Sequence, residues 1–126
     1  MRVRYSHRTD ELDLSGTPAE LHHLATLIRA GSGTCPLDTT TDPSPYDASL
    51  SSITITHTTT GKASITVSQD STTLQIHGAL PALDILASNV EAPAEPGPLP
   101  YHVHIEPLPG DHFLSEDSQP LVVSTP

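Results

Sequence analysis

Residues 101–106 read Tyr-His-Val-His-Ile-Glu, so two imidazoles and a carboxylate recur at every second position with apolar residues between them. On a β-strand such residues project from one side, where neutral ring nitrogens can converge on one ion. His102, His104 and Glu106 are therefore a candidate ligand set for a divalent transition metal such as zinc, and Asp111 or His112 could complete it. The same side chains could form an acid/base pair, a protein-binding surface, or simply the solvent side of an amphipathic strand. The following stretch places Glu106, Asp111, His112, Glu116 and Asp117 around the single phenylalanine, Phe113. An aromatic anchor ringed by carboxylates suits a basic protein partner. The alternative is an ordinary hairpin loop whose Phe113 and Leu114 tuck under the sheet.

The histidine pattern is loosely like that of cupins, yet it departs from their motif. There a longer gap follows the second histidine, whereas here Ile105 alone separates His104 from Glu106. No other catalytic kit accompanies it. Cys35 lies in a predicted loop without a histidine nearby in sequence, and G-x-S-x-G, P-loop, G-x-G-x-x-G, CxxC and HExxH motifs are all missing. A binding protein is therefore expected in preference to an enzyme.

The elements that must position these residues show an internal echo. Leu12–Ile28, "LDLSGTPAELHHLATLI", parallels Leu74–Val90, "LQIHGALPALDILASNV", with Gly16 meeting Gly78 and Leu21, Leu24, Ala25 and Ile28 meeting Leu83, Leu86, Ala87 and Val90. Each copy reads as a short alternating strand, a glycine turn and an amphipathic helix, over about 12–31 and about 74–91. Thr17, Pro18 and Glu20 supply an N-cap, a first-turn proline and a capping box, and Gly31 a stop. The second copy has Ala79 where Thr17 stood, so its box is lost.

Between the copies, 32–49 reads as a loop rich in Pro, Asp, Thr and Ser. A three-strand meander is expected over 53–59, 63–69 and 74–77, turning at Gly61-Lys62 and Asp70-Ser71. A Pro-rich linker, 92–100, delivers the His102–Glu106 strand, and Pro120–Ser124 closes the chain as the last strand. The expected fold is one α+β domain over 1–126, a mainly antiparallel sheet with two amphipathic helices on one face and a pseudo-twofold internal repeat. The opposite sheet face would then carry Thr, Ser, His and acids.

Charge narrows the partners. Fifteen acidic residues against five basic ones give a net charge of −10, which repels phosphate backbones, and aromatic residues are 3% of the chain, too few for base stacking. A basic protein fits better than a nucleic acid. A single cysteine excludes an internal disulfide framework. The N-terminal "MRVRYSHRTD" lacks the apolar segment of a secretory signal, and no run is long enough for a membrane helix, so a cytoplasmic protein is expected.

The early "LDLSGTPAELHHLATLI" and the late "YHVHIEPLPGDHFLSEDSQPLVVS" together resemble small actinobacterial proteins related to the immunity protein 32 class of polymorphic toxin systems. The resemblance implies an inhibitor that neutralises a cognate, nuclease-like toxin by occlusion, with no catalytic residues. A homodimer formed through the sheet face is a further expectation.

Overall fold

The computed structural model describes residues 1–39, 44, 46–94, 102–107 and 113–125. Among these residues two helices and nine strands follow in the order β1 (Arg2–Tyr5), β2 (Leu12–Ser15), α1 (Pro18–Ala30), β3 (Ser32–Pro36), β4 (Ala48–Ser49), β5 (Ser52–Thr58), β6 (Ser64–Val67), β7 (Thr73–Ala79), α2 (Leu80–Glu91), β8 (His102–Ile105) and β9 (Leu121–Ser124). A 3-10 turn, Ala92–Ala94, extends α2 into the Pro-rich segment, the rest of which lies outside the described residues.

Local chemistry explains both helices. Thr17 accepts from the Glu20 amide while the Glu20 side chain accepts from the Thr17 amide, so the capping box forms as expected. Gly31 ends α1 in the left-handed region at φ 73°, its N–H reaching the Leu27 and Ile28 carbonyls. Helix α2 starts at Ala79 with no side-chain cap. A lost cap costs about 1 kcal/mol. Full burial of Leu83, Leu86 and Val90 contributes about 1.5–3 kcal/mol per large side chain, so packing decides that α2 forms.

The strands build two mixed sheets, ordered β4-β1-β2-β9-β8 and β3-β5-β7-β6, in place of the single sheet expected. Five pairings are antiparallel and two, β2 with β9 and β5 with β7, are parallel. The meander is corrected accordingly. Strands β6 and β7 form the hairpin, but β5 lies on the far side of β7, so residues 59–63 cross over the end of β7 instead of making a tight turn. Gly78 lets them pass: a Cβ there would sit 2.7 Å from Ala63 Cα and 2.9 Å from the Lys62 carbonyl oxygen. Two further segments differ. Arg2–Tyr5, given no element above, is strand β1, and Ser32–Pro36, expected as loop, is edge strand β3.

The two sheets share one connectivity. β1-β2-β9-β8 and β6-β7-β5-β3 each run antiparallel, parallel, antiparallel, and in each the last two strands come from the other half of the chain. The outer edges of β1 and β6 are also both covered, by β4 and by a strap around Leu114 in which Ala63 bonds Phe113 and Ser115. Apolar side chains from both sheets and both helices merge into one core.

Candidate partner-binding faces

The strand holding His102 and His104 behaves as its alternation predicts: Ile105 is buried, Val103 packs against the core, and both histidines and Glu106 are exposed. The two imidazoles meet edge to face, ring centroids 5.1 Å apart. Among the described residues no three His, Cys, Asp or Glu side chains gather as a metal-holding group. Asp111 and His112, named as completing ligands and as partner contacts, lie outside the described residues.

Strand register shows what surrounds the histidines. One row across the outer face of the five-stranded sheet reads Arg2, Ser15, Ser124, His102. The next reads Ser49, Arg4, Asp13, Val122, His104. One step beyond the ladder, Ser6 N–H bonds the Glu11 carbonyl at 3.0 Å and Leu12 N–H the Pro120 carbonyl at 2.8 Å. A third row therefore runs Ser6, Glu11, Pro120, Glu106, with Asp47 beside it. The first and third rows lie roughly 13 Å apart along the strands. Arg2 and His102 thus stand at one end of the face, where Arg2 shares a pocket with Glu20 and Asp38, and Glu11, Asp47 and Glu106 stand at the other, beside the turn that carries Arg8.

Its centre is fixed. Arg4 Nη2 bonds Asp13 Oδ2 at 2.6 Å, with side-chain exposures of 22% and 13%, and the guanidinium stacks 4.6 Å from the Tyr46 ring centroid. Burial, then the nearby Asp13 and Glu11 charges, push the Tyr46 phenol up. Strand parity alone places Asp13 on the same polar side as the histidines, but Arg2, Arg4 and Tyr46 on this face were missed. The alternating Arg2-Val3-Arg4-Tyr5 was the available signal.

The other sheet presents a different surface. Its outer rows are Ser32, Thr56, His77, Ser64 and Thr34, Thr54, Gln75, Thr66, without one formal charge. A shallow groove of about 310 Å³ crosses it, lined by Thr54, Thr56, Thr58, Gln75 and His77. The single Thr/Ser/His/acid face expected from sequence is therefore divided between two sheets, the Thr-rich rows on one and the Arg2, Arg4, Asp13 and His102/His104 rows on the other.

The remaining candidates separate from the histidines. Phe113 is half-buried against the core within the strap on β6, and Leu114 beside it is buried. Glu116 and Asp117 are exposed on that strap, where Asp117 accepts from Ser115 and, at 3.4 Å, from Ser64. Cys35 lines a cleft of about 380 Å³ with His23 and Glu20, but burial raises its thiol pKa, so the reactive thiolate is disfavoured. In the same region the Met1 ammonium lies 2.6 Å from Glu20 and 3.0 Å from Asp38, and its hydrogen bond pulls the Glu20 carboxyl down to about 2. No described helix is long and apolar enough to cross a membrane.

Residues 73–126 match the family model Imm32, Immunity protein 32, a span that opens at the first residue of β7 and takes in α2, β8, the strap and β9. The match relates this part of the chain to the immunity protein 32 family. No curated protein and no solved structure matches the chain.

Proposed function

We propose, from the relation to the immunity protein 32 family, that the chain is an immunity-type inhibitor that binds a cognate toxin and neutralises it by covering its working surface. The observation that carries this reading is the family match over 73–126. A basic, nuclease-like toxin is the partner that charge favours: the net charge is −10, and Glu106 and Glu116 are exposed without an ion pair among the described residues. Attraction between such surfaces speeds encounter and suppresses wrong partners, and dissolved salt weakens it within about a Debye length. Inhibition by occlusion needs no nucleophile of its own, in keeping with the buried, protonated thiol of Cys35. The producing cell's cytoplasm is the compartment in which such protection acts.

Co-expression with candidate toxins from the source genome tests the reading. The expected result is restored growth, together with loss of toxin activity in a purified mixture and slower association as salt rises. A toxin that stays fully active with the chain in molar excess sinks it.

A further inference from the structure

We infer that the chain is two equivalent units, residues 1–60 and 61–126, each completed only by the other, and that Arg29 and Glu91 select unlike over like pairing. The partner each unit fits is a second unit of the same build that carries the opposite charge at that point. The inference goes beyond the immunity reading and does not depend on it. The family match over 73–126 falls wholly within the second unit.

Strand register carries the equivalence. The shift that sets Leu12 on Leu74 also sets Arg2 on Ser64 and Pro18 on Leu80, so β1, β2 and α1 fall on β6, β7 and α2. Leu14 pairs with Val123 and Val123 with Val103, as Ile76 pairs with Ile55 and Ile55 with Gly33. The same shift sets Met1 on Ala63, and these are the residues that lie over Gly16 and Gly78 respectively. Polar groups between the helices repeat the relation. His22 Nδ1 meets Glu91 Oε2 at 3.1 Å, and Arg29 Nε meets Asp84 Oδ1 at 3.1 Å. The shift turns His22 into Asp84 and Arg29 into Glu91, so each pair is the other rotated about a twofold axis, where contact of i with j implies contact of j with i. The bond between Arg29 and Glu91 is then the contact on the axis itself. An axis sets a group against its own copy. Two first units would oppose Arg29 to Arg29, and two second units Glu91 to Glu91, so opposite signs there favour the mixed pair.

The test keeps the full chain and inserts a protease site between Thr60 and Gly61, both exposed. Cut after folding, the protein should sediment as one species of the parent's mass. Once the pieces are separated in urea, neither should fold alone, and mixing them should restore the parent's melt. Ile55→Ala and Val123→Ala, at matching positions in the two parallel seams, should each weaken recombination by at least about ten-fold. Arg29→Glu should weaken it by at least about five-fold, and Glu91→Arg in the other piece should recover part of that loss. A piece that folds alone as a monomer overturns the exchange, as does failure to recombine where the uncut insertion variant refolds. A loss confined to one seam overturns the equivalence. Arg29→Glu without effect, no recovery with Glu91→Arg, or a like pair as stable as the mixed one overturns the selection by charge.

Discussion

Replacing Gly78 by alanine tests the crossing of residues 59–63 over β7 directly. The added Cβ would lie 2.7 Å from Ala63 Cα, 2.9 Å from the Lys62 carbonyl oxygen and 3.1 Å from Ala63 N, all of them backbone atoms. Carbon atoms rest at about 3.5–4.0 Å, so roughly 1 Å of overlap must be relieved by moving one of two chain segments. Neither is free to go. Ala63 is tied on both sides, donating to the Phe113 carbonyl at 2.7 Å and accepting from Ser115 N–H at 2.7 Å, and Ala79 N–H reaches the Gly61 carbonyl at 3.3 Å. Overpacking of this kind costs about 1–3 kcal/mol, and each weakened hydrogen bond adds about 1 kcal/mol, so a loss of about 2–4 kcal/mol is expected. Gly16 is the internal control, being the residue aligned with Gly78. A Cβ there meets Met1 Cγ at 3.3 Å, part of a flexible side chain, so Gly16→Ala should cost less than about 1 kcal/mol. Urea unfolding at equal m-values reads both changes. A Gly78→Ala protein within about 0.5 kcal/mol of the parent, or a Gly16→Ala protein that is the weaker of the two, would refute the close crossing.

Four further outcomes are expected. Thr17→Ala removes the α1 cap and should cost about 1 kcal/mol, whereas Ala79→Ser offers α2 an N-cap oxygen for the Ala82 amide and should gain about 0.5–1 kcal/mol, both read by urea midpoint. The Glu20 carboxyl, held at about 2 against an ordinary 4.5, contributes stability that is complete above pH 4.5 and lost as pH falls toward 2; Glu20→Gln should flatten that part of the midpoint-versus-pH curve. Arg29 clasps the helices through Asp84, Ser88 and Glu91, so Arg29→Met should lower stability by about 1 kcal/mol at low salt and by less in high salt, as thermal melts at two ionic strengths will show. Metal analysis of untagged protein should return no stoichiometric ion, and an equivalent of zinc that disappears in His104→Ala would restore the ligand reading of the histidines.

What the sequence showed was local. The capping box at Thr17–Glu20, the Gly31 stop and the uncapped start at Ala79 all depend on contacts within one helical turn, and each stands as the residues indicate. The outward placement of His102 and His104 followed from the two-residue period of a strand with one buried side. Strand partners could not be read this way, because the alternation in Ile53–Thr58 fixes which side is buried but not which neighbour the edge takes. Gly61-Lys62 carries hairpin chemistry, yet β5 pairs in parallel with β7, a choice made by the distant residues that fill the core. Ser32–Pro36 was opaque for the opposite reason: with Gly33 and Pro36 inside it, β3 lacks the β-branched run that marks a strand, and its pairing with β5 supplies the order. The candidate site was legible by face and illegible by company. His102 and His104 were found and Asp13 was placed on their side of the sheet, while Arg2 and Arg4 join that face from the far end of the chain, three strands away through β9 and β2.

The exchange of strands between the halves bears on how the molecule comes into being. On the ribosome, β1 and β2 emerge early, yet their next neighbour is β9, residues 121–124, and β8 joins only through β9. The hairpin of β1 and β2 therefore gains its inner-edge partner only after residues 121–124 have been made, although β4 can close its other edge earlier.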